Sequence, residues 1–574
     1  MRIGEIEALT GLSAGTIRYW EERGLVSFER AGNSYREIDS RTVKLLERIK
    51  LFRKLGIALA DIKLWRDGLI NERELLVGRL AELEKDSRSN LDQRSVCEKL
   101  LSGEELSDTA SLDQFFSETV ERPGRLSLGV DIGTTTLSAT LVSLEDGATL
   151  HTYTIDHHAA IESDDTEAFM ADAEKLVKLA IGLVNSAVDA YPEIVSIGFT
   201  GQMHGIVCLG ADGGILSPLY TWQNRFGLRK RGESTICEKI AEKTGKNVPS
   251  GYGIVTYYAL RELGLLPEGC GYISCIADLA AARLCENKKI AAHPTNAASL
   301  GLFDISANDF DSASLEALGI DRSVLPEIID DFVPVGYFRG IPVSAAIGDN
   351  QAGVFGSISG GGDVLLNVGT SGQVSFVSEK TEALTDDPCC EVRPYFGGEY
   401  LHSGSTLCGG RAFAGLYRLV SEIIRHFGVD ASKDEIYEYL SSEALRAKGE
   451  LCVSTLFAGS RAEPEAKGSI SGITLETFDI AELSDGFARG IIDELYRLFV
   501  KMGGECRRLI VSGNAMRKNP ALRRAAMKRF GAEPLIPSRS EEAAFGTTLY
   551  AAVSARLSDV NNIKNLISYR RNTK

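Results

Sequence analysis

The 574-residue chain has no C-x-x-C pair among its 11 cysteines and no Cys/His cluster at zinc-ligand spacing, and Cys389 and Cys390 are adjacent. These absences argue against a disulfide framework or a metal site and leave reduced, mostly buried thiols. No run of 18 or more apolar residues occurs, and Met1 is followed by charged residues rather than an apolar stretch. Neither a membrane span nor a secretory signal is therefore expected, and the expected location is cytoplasmic. A G-x-x-x-x-G-K-S/T motif is also missing, which excludes a P-loop as the source of any nucleotide binding. Positive charge is scarce as well. A net charge of -16, spread evenly, would repel a nucleic-acid backbone. Residues 1–70 are the exception, with 13 Lys and Arg against 10 Asp and Glu, leaving -19 on the remainder. That asymmetry permits DNA contact at the N-terminus without requiring it.

What is present, 44% hydrophobic and 25% charged residues, is ordinary globular material too long for a single core, so about two to four domains are expected. Arg2 to Leu12 reads as a short amphipathic helix ending near Thr10-Gly11, and Ser13 is placed to cap a second helix through Tyr19-Trp20-Glu21. The segment from Val26 to Ile38 is β-prone and broken at Ala31-Gly32-Asn33, which predicts a two-stranded wing carrying Arg30, Tyr35 and Arg36. Val43, Leu46, Ile49 and Phe52 then recur at helical spacing.

This block, "IGEIEALTGLSAGTIRYWEERGLVSFERAGNSYREID" followed by "LFRKLGIALADIK", resembles the DNA-binding domain of the MerR family. The resemblance implies a recognition helix bearing Ser13, Thr16, Arg18 and Tyr19, with Tyr35 and Arg36 on the wing at the phosphates of operator DNA. Tyr19 is as well explained as core. From Asn71 to Leu101 the chain is polar, with leucines near the helical period. It reads either as the helix through which relatives form a homodimer on a palindromic operator or as a solvated linker helix. The stretch from Ser107 to Gly124 ends in Arg122-Pro123-Gly124 and reads as a linker.

Beyond it, "LSLGVDIGTTTLSATLVS" is a strand, a tight Asp-x-Gly-Thr-Thr turn and a second strand, and "GGDVLLNVGTSGQVSFVS" repeats that plan some 230 residues later. A glycine in such a turn lets the backbone approach an anion, and the following hydroxyls and amides can bind phosphate oxygens. One such hairpin alone is weak evidence; two of them facing one cleft could hold a nucleotide from both sides.

With "GFTGQMHGIVCL", "TWQNRFG", "TNAASLGLFD", "AAIGDNQAGVFGS", "VSGNAMRKNPALRR" and "EEAAFGTTLYAA" in order, the chain from Leu126 to Leu557 resembles the FGGY carbohydrate kinases of the actin-like ATPase superfamily. "SGYGIVTYYAL" and "PYFGGEYLHSGSTLCGGRAF" look most like the sedoheptulokinase branch, while "GQMHG" is shared with xylulokinases. The fold this implies is α/β, two actin-like (ribonuclease H-like) ATPase domains around a cleft, preceded by a small, mostly α winged helix-turn-helix domain. Expected boundaries are 1–70 for that domain, 71–124 for the dimerisation helix and linker, 125–360 for the sugar-binding domain and 361–574 for the nucleotide-binding domain.

The implied reaction is phosphoryl transfer from ATP, with Mg²⁺, to a ketose. Asp349 is the candidate base: it follows the strand-like run Ile341 to Ile347, and Gly348 should leave space for substrate beside its carboxylate. The same residue could instead be capping the next helix. Asp131 is expected near Mg²⁺, through water. Gln202, Met203, His204, Trp222, Gln223 and Asn350 are expected at the sugar. Gly133, Thr134, Thr135, Gly369, Thr370 and Ser371 are expected at the phosphates, and Gly409, Gly410, Gly513, Asn514 and Asn519 near the ribose and adenine. One departure stands out: relatives usually read Trp-Gln-Asp-x-Arg, whereas this chain has Asn224, Arg225 and Phe226 after Gln223. The sequence leaves open three functions: a sedoheptulose kinase attached to a DNA-binding regulator, a pentulose kinase of the xylulokinase type, and a sugar-sensing transcription regulator with weak or no kinase activity.

Overall fold

A computed structural model of the protein describes residues 10–30, 36–37, 40–85, 124–381, 385–539 and 541–571. Ser13 opens the first described helix, α1 (Ala14–Glu22), its Oγ accepting the Thr16 N–H at 3.1 Å, the satisfaction of an orphan donor for which serine is suited. Ile17 and Trp20 form its buried face. β1 (Glu29–Arg30) and β2 (Arg36–Glu37) pair antiparallel as the wing. Three helices follow, α2 (Ser40–Lys54), α3 (Leu59–Arg66) and α4 (Glu72–Lys85). Tyr35, the side chain of Arg36, and residues 86–123, which hold most of the expected dimerisation helix and linker, lie outside the described residues.

This block is packed onto the rest of the molecule. Helix α3 lies on α5 (Ala173–Ala190), and Leu69 closes on Gly182 so tightly that a Cβ there would stand 3.0 Å from Leu69 Cδ1. The buried residues Ile17, Trp20, Phe52 and Ile62 belong to one continuous core with Leu128, Val130 and Leu183. Around its rim, Arg23 donates to Glu193 at 2.8 Å and Lys63 approaches Asp189 to 3.6 Å.

The sequence repeat folds as a structural repeat. In the first half, β3 (Leu126–Ile132), β4 (Thr136–Ser143) and β5 (Thr149–Asp156) form an antiparallel meander; α5 then crosses over to β6 (Ile194–Gly201), parallel to β3 on its other side. β7 (Pro334–Phe338) and β8 (Ile341–Ser344) complete the order β7-β8-β6-β3-β4-β5, and β9 (Ile347–Gly348) extends β8's path along β6. Helix α6 (Asp349–Ser357) follows.

The second half repeats the meander with β10 (Asp363–Val368), β11 (Gly372–Ser378) and β13 (Tyr400–Thr406), edged by β12 (Cys390–Pro394). Helices α7 (Gly410–His426) and α8 (Ile480–Lys501) precede β14 (Arg508–Ser512), which lies parallel to β10. After α9 (Asn514–Lys518) and α10 (Pro520–Phe530) come β15 (Pro534–Pro537) and, past α11 (Glu542–Ser554), β16 (Tyr569–Arg571). The resulting order is β12-β13-β11-β10-β14-β15-β16. In each half a trio of antiparallel strands is followed by a crossover to a parallel strand, which buries the sheet beneath helices.

The halves are tied where α11 returns to the first sheet. It packs on β3 and β6 and crosses α6 at a pair of glycines. A Cβ on Gly356 would lie 2.7 Å from Gly546 N, and on Gly198 2.8 Å from Thr547 Cγ2. The two helices can meet only where side chains are absent.

Candidate active site

The two glycine turns lie at the carboxyl ends of β3 and β10. In the first, Gly133 N–H donates to Thr136 O at 2.9 Å; in the second, Gly369 N–H donates to Ser371 O at 3.0 Å. Thr135, Thr370 and Ser371 are exposed, and Gly133, Thr134 and Gly369 partly so, leaving hydroxyls and amides open to an anion. Gly409 and Gly410 press on the second turn: their N–H groups donate to Thr370 O and Gly369 O at 3.1 and 2.9 Å. Gly513, at φ +84°, would drive a Cβ to 2.5 Å from Val368 O, a conformation and a fit that only glycine accommodates. Asn514 is exposed at the start of α9. Asn519 is turned elsewhere: it is buried, and its Oδ1 caps α10 by accepting from Ala521 and Leu522 N–H at 2.9 and 3.3 Å.

Asp349 is the first residue of α6, after the N-cap Gly348. Its carboxylate accepts the Asn350 N–H at 2.6 Å, at a helix N-terminus that favours negative charge. Burial nonetheless pushes its pKa up to about 6, opposed by that hydrogen bond and by the charge of Arg393. Asp131, at the end of β3, is pushed up to about 7 by burial, then by Asp349 and Glu541. A carboxylate raised by two acidic neighbours in this way marks a site with an excess of negative charge, which a divalent cation relieves. Among the described residues no three His, Cys, Asp or Glu side chains stand close enough to ligate a metal directly. The donor set thus fits a Mg²⁺ held largely by phosphate oxygens and water, the usual habit of that ion.

Gly348 is glycine for a different reason from the one the sequence suggested. The space beside it is filled: a Cβ there would meet Gln351 Oε1 at 2.7 Å and Met203 Cε at 3.0 Å. Met203 is 3% exposed and accepts a contact from Asn350 Nδ2 at 3.6 Å, so its thioether packs beside the first turn of α6. Gln202 is also buried; its Nε2 donates to Gly133 O at 3.2 Å, tying the loop to the first phosphate turn.

His204 sits at φ +72°, uncommon for a non-glycine residue. Its Nδ1 lies 2.7 Å from Ser299 O, and its ring packs 4.1 Å from that of Tyr252. Burial, then Arg393, lowers its pKa to about 4. The imidazole is neutral, its Nδ1–H is committed to the carbonyl, and Nε2 is left as an acceptor for a hydroxyl. Trp222 is 48% exposed, and its indole N–H donates to Thr134 Oγ1 at 3.1 Å; an aromatic face is thereby fixed beside the phosphate turn. Gln223 is exposed next to it. Asn224, in the unusual Trp-Gln-Asn sequence, is 1% exposed and spends Oδ1 on the Phe226 N–H at 3.0 Å, leaving Nδ2 buried with no partner among the described residues.

Several residues of the site were not singled out in the sequence. Tyr252 belongs to a quoted motif but carried no assigned role. Glu541 likewise opens the quoted "EEAAFGTTLYAA" without an assigned role, whereas His157, whose Nε2 lies 3.4 Å from Gly133 O, along with Glu391 and Arg393, had no local signal at all.

Residues 126–356 match the model of the FGGY family of carbohydrate kinases, N-terminal domain, and residues 1–69 that of the MerR HTH family regulatory protein. The chain is 25% identical to mouse sedoheptulokinase over 465 residues and 26% identical to human sedoheptulokinase over 479, each match covering 96% of the relative. The chain is a sugar kinase whose residues 126–356 form an FGGY-type carbohydrate kinase N-terminal domain, fused to a MerR-type helix-turn-helix at residues 1–69. The kinase shares its fold with xylulose kinase from Rhodospirillum rubrum (TM-score 0.67, 18% identity, 78% of this chain and 93% of that one). It is likewise similar to Plasmodium falciparum glycerol kinase with ADP (TM-score 0.63, 18% identity, 77% and 92%). Both are two-domain structures of the actin-like kind, as the sequence led us to expect. The mouse and human matches take in 74% and 75% of this chain. Among the described residues no helix is long and apolar enough to cross a membrane.

Proposed function

We propose that this kinase transfers the γ-phosphoryl group of ATP to a ketose, with sedoheptulose giving sedoheptulose 7-phosphate as the first candidate reaction. The observation that carries this is Asp349: a carboxylate at the first residue of α6, with its pKa pushed up to about 6, close enough to Asp131 beside the first glycine turn to raise that residue's pKa as well. Such a group is ionised at neutral pH yet basic enough to accept the acceptor hydroxyl's proton as its oxygen attacks phosphorus. Thr134, Thr135, Thr370 and Ser371 hold the nucleotide's phosphates. Gly409, Gly410 and Gly513 admit it closely to the second turn. Asp131 would hold, through water, a Mg²⁺ that came with the nucleotide and would neutralise phosphate charge. Trp222 and His204 Nε2 orient the sugar, and Asn350 and Met203 keep Asp349 in place. The low-identity resemblance to the sedoheptulokinases supports the choice of sugar, and Asn224 in place of a carboxylate is the feature most able to change it.

The reading is tested by ADP release from Mg-ATP with sedoheptulose, xylulose, ribulose and fructose. Turnover with one ketose, lost in Asp349→Ala, supports it; ADP release that no sugar stimulates contradicts it.

A second reading, compatible with the first, is favoured by the packing of the helix-turn-helix on the sugar-binding half through Arg23, Glu193 and α3. Here the kinase also acts as a DNA-bound regulator whose sugar occupancy alters operator affinity, with Ser13, Thr16 and Arg18 at the DNA and a homodimer as the binding unit. A gel shift on the DNA upstream of its own gene, with and without sugar, tests it. No specific shift in either condition sinks it.

A further inference from the structure

Arg393 lies on β12, the edge strand of the second sheet, yet it belongs chemically to the pocket of the first half. Its Nε and Nη2 both donate to Glu391 Oε2, at 2.8 and 2.5 Å, and Arg461 Nη1 stands 3.3 Å from Glu391 Oε1. One edge of the guanidinium is thus consumed by an acid that is itself shared with a second arginine. The other edge, Nη1, is buried with no acceptor at hydrogen-bond distance among the described residues, although the guanidinium also reaches towards the Tyr252 hydroxyl and counters the rise in that phenol's pKa. An arginine cannot shed its proton to relieve such burial, and an unsatisfied charged donor is costly. An acceptor that enters the cleft, a water or a substrate hydroxyl, would satisfy it.

The surroundings say which. Arg393 acts electrostatically on three residues of the first half. It helps lower the pKa of His204, it opposes the rise that burial and Glu391 impose on the Tyr252 phenol, and it opposes the rise that burial imposes on Asp349. The His204 and Tyr252 rings are in contact. The second phosphate turn, by contrast, is remote. Arg393 pairs with Leu401 on β13, whereas the turn meets that strand at Thr406, opposite Gly372. Five residues of strand are on the order of 15 Å, beyond an arginine's reach.

We propose that Arg393 is a specificity-determining sugar-binding residue contributed by the nucleotide-binding half, its Nη1 edge donating to hydroxyl oxygens of the acceptor's polyol chain. Glu391 and Arg461 are positioning residues that hold the guanidinium plane. Binding of sugar then requires both halves, which couples acceptor recognition to closure of the cleft. This inference rests on the sugar-kinase reading and adds a residue to it.

The test is steady-state kinetics of the full chain with Arg393→Gln and Arg393→Lys, using the ketose that the wild type turns over best. Loss of a charge-assisted hydrogen bond predicts a sugar KM raised about ten- to hundredfold in Arg393→Gln, with the KM for Mg-ATP unchanged. Arg393→Lys should recover part of the loss, since it keeps charge but not the planar fork. A sugar KM unchanged, or a raised KM for Mg-ATP instead, overturns the assignment. Protection of each variant against thermal unfolding by sugar, and separately by Mg-ATP, provides a readout that does not need turnover. Lost protection by sugar with retained protection by Mg-ATP supports the role, and loss of both shows a folding defect and overturns it. A wild type inactive with every sugar contradicts the kinase reading; a wild type active and an Arg393→Gln equally so contradicts only this one.

Discussion

The two phosphate turns share a plan but not a chemistry. Asp131-Ile132-Gly133-Thr134-Thr135 and Asn367-Val368-Gly369-Thr370-Ser371 follow strands of the same topology, each opening an antiparallel hairpin and each flanked by a parallel strand. The first carries a carboxylate whose pKa is raised to about 7 by burial and by its acidic neighbours; the second has a neutral amide at the same place. The first turn is also cramped, since a Cβ on Gly133 would lie 2.9 Å from Thr136 O, whereas one on Gly369 meets nothing within 4 Å. On the proposed function, the difference between the two loops divides the labour: the first would handle the reacting end and its cation, and the second would grip nucleotide without adding negative charge beside its phosphates.

The largest expected effect concerns the base beside the acidic turn. Asp349→Asn should lower kcat by about 10²- to 10⁴-fold with little change in the KM for Mg-ATP, measured by coupled ADP release. Next is Asp131→Asn, which should reduce turnover strongly and weaken Mg²⁺ dependence while stabilising the ligand-free protein by about 1–2 kcal/mol. The sign follows from its raised pKa: the unfolded chain's carboxyl ionises from about pH 4 whereas the folded one keeps its proton to about pH 7, so the penalty that asparagine removes is absent below about pH 4, grows up to about pH 7 and is constant above it. Thermal unfolding at about pH 4 and about pH 7 reads this directly. A stabilisation that is the same at both pH values would erase the contrast between the turns.

A smaller effect separates the glycines. Gly133→Ala must push a backbone carbonyl and should cost about 1–2 kcal/mol of stability; Gly369→Ala should leave the unfolding temperature unchanged and act, if at all, on the KM for Mg-ATP. The smallest lies outside the kinase: Arg23→Ala removes a partly buried ion pair with Glu193 and should loosen the helix-turn-helix, by about 1–2 kcal/mol, without changing the sugar KM. Earlier proteolytic release of the N-terminal block is the readout.

What the sequence could reveal was what is local. Ser13 as a cap, the Glu29–Glu37 wing, the strand-turn-strand repeat and the strand leading into Asp349 all depend on neighbours a few residues away, where propensity and turn chemistry speak plainly. The packing of α3 on α5 was not legible, because an amphipathic helix announces a buried face without naming what buries it. The same limit applied within the site. Trp222 meets Thr134 across 88 residues and His204 meets Ser299 across 95. Gly348 looked like room for substrate until Met203 was seen to occupy the space, and Arg393 reaches its neighbours only because the two halves face each other.

The most direct test is the pH dependence of kcat/KM for the preferred ketose at saturating Mg-ATP, in wild type and Asp349→Asn. With Asp349 as base, log kcat/KM rises with unit slope through pH about 6 and levels above it, and the residual rate of the asparagine variant lacks that limb. A wild-type profile that is flat from pH 5 to pH 8, or a limb that survives in Asp349→Asn, would contradict the role given to Asp349.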